Sequence, residues 1–402
     1  MSSTHSPDKL PESLTPHTIA PFLYTLVHTD PFGVEDPDLL ARKRAAAFSA
    51  LQDLGIERVR ALLVSVVVDT AWMRSEEDRL IRSCAIRVLA KLDGERSLDV
   101  LLPLVVDPDF HVRARVSDVL DEVGRNERVI QYLLPLLAHH DADIRSFGCQ
   151  QLGRSSDRTL VDSLLPLLQD HIIKVRCAAA KAIVTLDPHR AVPVLLPLLD
   201  DADESVRLSI CDLFRTMHDA RTVEPLVAHL QTDPSADVRM IAASALGNIG
   251  DVRALPALYW ATDHDPGRDY RGCPVRTAAA TAAIWVFVNH FFTLFATGHA
   301  AAAWNLLSPQ LQQTDEGTQV LAACQQIIDQ HGPCSETRVA GGSRVDDDHD
   351  QISVDLIYGD AFVRCRLMIG WHRDGWSVDK FMGHDDLKLD RVMPPNPKAL
   401  GF

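Results

Sequence analysis

Two periods are superimposed along this chain. Over short windows apolar residues fall three and four apart, as in Val112, Val116, Val119, Leu120 and Val123, which is the spacing of one helix face. Over longer windows whole phrases return. Leu-Leu-Pro-Leu occupies residues 101–104, 133–136, 164–167 and 195–198. An arginine behind a Val or Ile recurs as Arg82, Arg113, Arg145, Arg176, Arg207 and Arg239, at intervals of 31, 32, 31, 31 and 32 residues. A looser copy, Val275-Arg276, follows 37 residues later. A fixed period of this size predicts stacked units, each burying its apolar face only against its neighbours.

Each unit reads as two helices. The first carries the Leu-Leu-Pro-Leu phrase, where Pro103, Pro135, Pro166 and Pro197 remove a backbone donor and are expected to bend the helix. A short acidic turn follows, and Asp78, Asp109, Asp141, Asp203 and Ser235 are placed to start the second helix. Gly94, Gly124, Gly153 or Gly247 is expected to end it. A second arginine series, Arg96, Arg128, Arg158, Arg190, Arg221 and Arg253, opens the next unit. Upstream, apolar residues 18–27 and a helical pattern through Ala46, Phe48, Leu51 and Leu54 predict an irregular first pair capping the array.

The pattern changes after residue 275. Residues 278–295 are mostly apolar and long enough for a membrane span, but Thr281, Asn289, His290 and Thr293 interrupt them, so a buried helix is expected. With no Gly or Pro between Arg276 and Thr297, and five alanines within 278–283, one continuous helix is predicted. Strands follow at about 335–344, 351–358, 361–371 and 375–383, with Gly359-Asp360 and Asp374-Gly375 as hairpin signals. Alternation groups Ile352, Val354, Leu356 and Tyr358 on one face of one strand, and Val363, Cys365, Leu367 and Ile369 on one face of the next.

The motif D-x-D-x-x-V-R followed by an Ala/Leu helix and G-D-x-R, as in DDADESVR and LGNIGDVRAL, resembles the HEAT-repeat family, in particular the bacterial HEAT-like repeats of the phycobilin lyases. That resemblance implies a ladder pairing an acid of the turn with the arginine of the adjoining helix. Glu76, Asp107, Asp170, Asp201 and Asp233 stand six before their arginines, whereas His139 and Tyr270 depart from the pattern, so gaps are expected there. The text FFTLFATGHAAAAWNLLSPQLQ with DGWSVDKF resembles the nuclear transport factor 2-like (cystatin-like) superfamily, which implies a curved sheet wrapped round a long helix. The expected fold is therefore an α-solenoid of about seven helical-hairpin repeats plus a C-terminal α+β cone-shaped domain. Its expected divisions are a flexible N-terminus 1–17, a solenoid 18–284, the α+β domain 285–385 and a tail 386–402.

Composition narrows the function. The formal charge of −15, without a Lys/Arg-rich run, argues against nucleic acid as a partner. The eight cysteines include no C-x-x-C pair and the first residues lack a signal-peptide pattern, so a reducing cytoplasm is expected. His139, His140 and Asp141, with His111 and His171 in neighbouring turns, lack the symmetry of a ligand set, and no His-Glu step of the kind used by HEAT-repeat hydroxylases occurs. No metal, cofactor or catalytic set is expected. The leading expectation is a protein-binding scaffold of bacterial type that holds another protein or peptide on the concave, second-helix face. The positions expected there are Ser117, Asp118, Asp121, Gln150, Lys181, Asp212, Arg215, Ser244 and Asn248. The cone is expected to be a second docking or homo-oligomerisation module, with a pocket near His290, Trp304, Tyr358, Cys365 and Trp376. Alternatives are a maturation factor of the phycobilin-lyase type and a small-molecule-binding or isomerase-like activity in the cone.

Overall fold

The computed structural model describes residues 15–27, 37–53, 55–70 and 75–296, a few positions between 299 and 322, and strands at 336–344, 349–358, 361–372 and 375–388. The chain divides into two compact units, Met1–Asp187 and Pro188–Phe402. Repeated helical hairpins, an α-solenoid arrangement, build the first unit and the helical part of the second.

In the first unit, helices α1 (Pro16–Val27), α2 (Pro37–Asp53), α3 (Ile56–Val68) and α4 (Glu76–Asp93) pack as the leading group. Ser75 caps α4 reciprocally with Asp78, so the helix starts two residues before Asp78. Three hairpins follow, α5 (Leu98–Leu101) with α6 (Phe110–Val123), α7 (Glu127–Leu133) with α8 (Ala142–Gly153), and α9 (Val161–Leu164) with α10 (Ile173–Leu186). Asp109 and Asp141 cap α6 and α8 by accepting a backbone N–H two residues on, at 2.8 Å each. Ile172 stands in the corresponding place before α10, where no side chain caps the helix.

The prolines of the first helices stand where α-helix passes into a tighter 3-10 segment that forms its last turns, at Leu102–Val106, Leu134–Ala138 and Leu165–Gln169. Proline at this point removes a donor from the continuing helix, which favours the change of hydrogen-bond pattern there.

The glycines divide into two kinds. Gly94 and Gly124 lie just beyond α4 and α6 with φ of 54° and 87°, values that suit glycine and strain other residues. Gly153 instead lies within α8, and a Cβ built there would stand 2.7 Å from the Cα and Cβ of Ala182 on α10. It is a contact residue between stacked helices. In the second unit, Gly247 has the same role against Ala282, and Gly250, with φ of 75°, ends the helix.

That second unit opens with α11 (Pro188–Leu195), which runs into a 3-10 segment at Leu196–Asp200, and α12 (Glu204–Met217). It continues with α13 (Val223–Thr232), α14 (Ala236–Ile249) and α15 (Leu255–His264). The chain then forms α16 (Val275–Ala296), an unbroken helix of 22 residues, about 33 Å long at 1.5 Å per residue. Helix α16 packs on α14 and α15 and also against the first strand of a sheet. Phe287 and Phe291 are buried along it. Among the described residues no helix is long and apolar enough to cross a membrane.

Strands β1 (Glu336–Arg344), β2 (His349–Tyr358), β3 (Ala361–His372) and β4 (Gly375–Lys388) form an antiparallel meander in the order β1-β2-β3-β4. The register sets Tyr358 opposite Ala361, Val354 opposite Cys365, and Trp371 opposite Trp376. Shifts in register interrupt β1 against β2 and β3 against β4.

A buried ladder ties successive turns together. Arg82 reaches Asp107 at 2.6 Å, with 2% and 7% of the two side chains exposed. Arg145 meets Asp170 through Nε and Nη2, and Arg207 and Arg239 meet Asp233 and Asp265 in the same bidentate way. Each of these last three arginines also gives Nη1 to the backbone carbonyl of the residue six before it. The gap expected at Tyr270 is absent. Within the longer last turn, Asp265 takes the acid's place, and its backbone carbonyl accepts from Arg276 Nε at 2.9 Å. The gap expected at His139 is present among the described residues, where Arg113 donates to the Asp107 and Pro108 carbonyls and to no carboxylate. Glu76 accepts from Arg79 at 3.4 Å on its own helix, and Arg82 gives its Nε to the Val67 carbonyl.

Candidate protein-binding surface

The second helices place one polar column on the surface of the first unit. Counting five residues beyond the ladder arginine gives Arg87, Asp118, Gln150 and Lys181, and the last three are exposed. The repeat makes this position point away from the hairpin's core, since the ladder arginine and the apolar residues at helical spacing fill the opposite side. Asp118 accepts from Arg115 Nη1 at 2.7 Å, an exposed pair one turn apart. Gln150 donates to Ser146 Oγ at 3.3 Å.

Three helical positions further on, Asp121 joins a polar lock between α6 and α8. Its carboxylate accepts from Arg125 at 2.5 Å and from Arg154 at 2.7 Å. Arg125 also donates to the backbone and side-chain oxygens of Gln151, both at 2.8 Å, and Gln151 donates to Ser117 Oγ at 2.8 Å. Ser117 is therefore not on the surface. It is 8% exposed, because the seam between α6 and α8 closes over the hydroxyl, which accepts from Gln151 and Arg154. Arg115 and Arg154 share this face and were not singled out from sequence. Arg115 was signalled by the Arg-to-Asp spacing of three residues.

In the second unit, Asp212 and Asn248 are exposed, whereas Arg215 and Ser244 are half-buried. Arg215 donates to Asp212 Oδ1 through Nε at 2.9 Å and Nη2 at 2.7 Å. Ser244 turns its hydroxyl back to the Met240 carbonyl at 3.0 Å, so its polarity is spent within its own helix. His290 lies on α16, half-buried, and burial pulls its imidazole below the usual value. Tyr358, Cys365 and Trp376 lie on β2, β3 and β4, and Trp304 lies outside the described residues. Among the described residues no cluster of three or more His, Cys, Asp or Glu side chains could hold a metal ion.

Three cysteines of the repeats behave as packing residues, whereas Cys177 on α10 is half-buried. Cys84, Cys149 and Cys211 are buried, and burial pushes the Cys149 and Cys211 thiols up to about 12.

No curated protein matches the sequence. Among solved structures, the complex of CpcE and CpcF of phycocyanin lyase from Nostoc sp. PCC7120 is similar at 18% identity and a TM-score of 0.29, covering 64% of this chain and 98% of that one. Human deoxyhypusine hydroxylase is similar at 18% identity and a TM-score of 0.29, covering 59% and 98%. A Kap121p mutant is similar at 14% identity and a TM-score of 0.45, covering 79% and 37%. The sequence profile of HEAT repeats matches residues 70–147, 130–215 and 192–283, together more than half of the chain. With its hairpins and arginine ladder, the chain belongs to the HEAT-repeat family.

Proposed function

We propose that this protein is a non-enzymatic scaffold that binds another protein or peptide on its second-helix surface. The observation that carries this reading is the column of Asp118, Gln150 and Lys181. Three successive second helices expose polar side chains of different charge at one repeat position, while the ladder and core positions around them keep their type. A solenoid's exposed positions can vary in this way without disturbing its packing, which makes such a column a means of setting partner specificity. Asp121, Asp212, Arg215, Ser244 and Asn248 extend the polar set, each within its own unit. In this reading the cytoplasm is the working compartment.

We assign residues 18–284 to the solenoid and 285–385 to a cone-shaped α+β domain of the nuclear transport factor 2-like kind, which serves as a second docking or self-association module. Packing of α16 against both the last repeat and β1 supports a rigid connection between them. The test is affinity capture with the parent and with an Asp118→Lys/Lys181→Glu variant under identical conditions. A partner held by the parent and lost by the folded variant supports the scaffold reading, and a profile unchanged by the double reversal contradicts it.

A further inference from the structure

We propose that the interrupted rung of the ladder, at Arg113, is a docking site for an aspartate or glutamate side chain of a partner peptide. Arg113 is only 8% exposed, and its Nη1 donates to the backbone carbonyls of Asp107 at 2.6 Å and Pro108 at 3.1 Å. In the neighbouring repeat of the same unit, the equivalent Arg145 uses Nε and Nη2 to hold the Asp170 carboxylate at 2.8 and 2.9 Å. Arg113 has those two donors as well, and neither meets an acceptor among the described residues. Neither is sealed from solvent.

His139 cannot supply the missing acceptor. It stands where the other turns carry an acid, and it reproduces one of that acid's two functions. Asp107, Asp170, Asp201 and Asp233 each accept the backbone N–H two residues on, at 2.8 to 2.9 Å. His139 Nδ1 accepts the Asp141 N–H in the same manner at 3.1 Å. A neutral imidazole accepting at Nδ1 carries its proton on Nε2, so it has no lone pair left for a guanidinium. The acid's other function, pairing with the buried arginine, is unfilled. The Asp143 carboxyl is held below its usual value first by the hydrogen bond and charge of Lys174, at 2.7 Å, and the Arg113 charge contributes least.

The surroundings suit a peptide more than a free anion. Phe110 begins α6 with 67% of its surface exposed, and the Arg113 guanidinium lies 5.8 Å from its ring centre. In the next turn, the rings of His139 and His140 pack on each other, 4.2 Å between centres. A partner carboxylate completing the two-pronged bond to Arg113 would lay a neighbouring apolar side chain on the Phe110 ring. Arg82, Arg145, Arg207 and Arg239 each close this rung internally, so the fold already shows the geometry that an incoming carboxylate must adopt.

The test uses the full chain with 15N-labelled arginine, the Arg113 Nε–H resonance being assigned through Arg113→Lys. The probes are the blocked peptide acetyl-Gly-Asp-Leu-Gly-amide, its Asn counterpart, and sodium acetate. The expected result is a saturable shift with the Asp peptide, about tenfold tighter than with either control. His139→Asp closes the rung from within and should weaken that binding about tenfold while the protein stays folded. Equal binding of the Asp and Asn peptides overturns the proposal, as does equal binding of acetate. Undiminished binding to His139→Asp also overturns it.

Discussion

Arg207 and Asp233 face each other in parallel, Nε to Oδ2 at 2.8 Å and Nη2 to Oδ1 at 3.1 Å, one turn of the solenoid apart. The Asp233 side chain is 1% exposed and that of Arg207 is 11% exposed. Desolvating such a pair offsets much of its attraction, but removing one partner leaves a buried charge with nothing to meet it. Arg207→Ala should therefore cost about 3 kcal/mol in denaturant unfolding. Arg207→Ala/Asp233→Ala should recover part of that loss, and a single variant as stable as the parent would mean the ladder is not structural.

The same acids set the acid limit of stability. The hydrogen bond from Arg145 holds the Asp170 carboxyl below its usual value despite partial burial. Burial pushes Asp233 upward, but the bonds and charge of Arg207 and the Ser235 N–H outweigh it, so Asp233 is also lowered. A group lowered on folding contributes stability that is fully present above its unfolded value, near 3.9, and is lost as pH falls through the folded one. Melting temperature should change little from these acids between about pH 5 and 7 and fall steeply below about pH 4. Asp170→Asn should flatten that acid limb, and an unchanged limb would contradict the assignment.

Close approach at Gly153 gives a third expectation. A Cβ there meets the Ala182 backbone at 2.7 Å, which only a movement of α8 or α10 can relieve. Gly153→Ala should destabilise by about 1–3 kcal/mol although alanine is the better helix former. Pairing it with Ala182→Gly should restore part of the loss. Greater stability in the single variant would show that the helices are not in contact at this point.

Thiol chemistry separates packing cysteines from exposed ones. Cys149 and Cys211, pushed up to about 12 by burial, should resist a disulfide reagent at pH 8 until the protein unfolds. Cys273 is exposed in the long turn before α16 and should react in the native state. Peptide mapping after brief labelling distinguishes them, and early labelling of Cys149 would contradict the packing of α8.

What the sequence revealed followed from periodicity. The Val/Ile-Arg spacing located the second helices, and Asp109, Asp141, Asp203 and Ser235 cap them where their positions indicated. The alanine run before Phe291 became one helix, and strand alternation located the meander. What stayed hidden depends on which neighbour comes close. A period cannot distinguish Gly124, which closes a helix, from Gly153, which admits Ala182. It placed Ser117 on the surface because the spacing is right for exposure, but Gln151 and Arg154 reach across from α8 and cover it. It also put Tyr270 in an acid's place, because the insertion moved Asp265 out of step in sequence but not in space.

The most direct measurement of the scaffold account is site-specific photo-crosslinking in the native host. A photoreactive residue replaces Gln150, exposed on α8, in one variant and Tyr132, exposed on the first helix of the same repeat, in another. The account predicts one defined adduct from position 150, identified by mass spectrometry as the same partner across repeats of the experiment and suppressed by Lys181→Glu. It predicts no such adduct from position 132. Equal labelling from both positions, or a defined partner captured only from position 132, would contradict it.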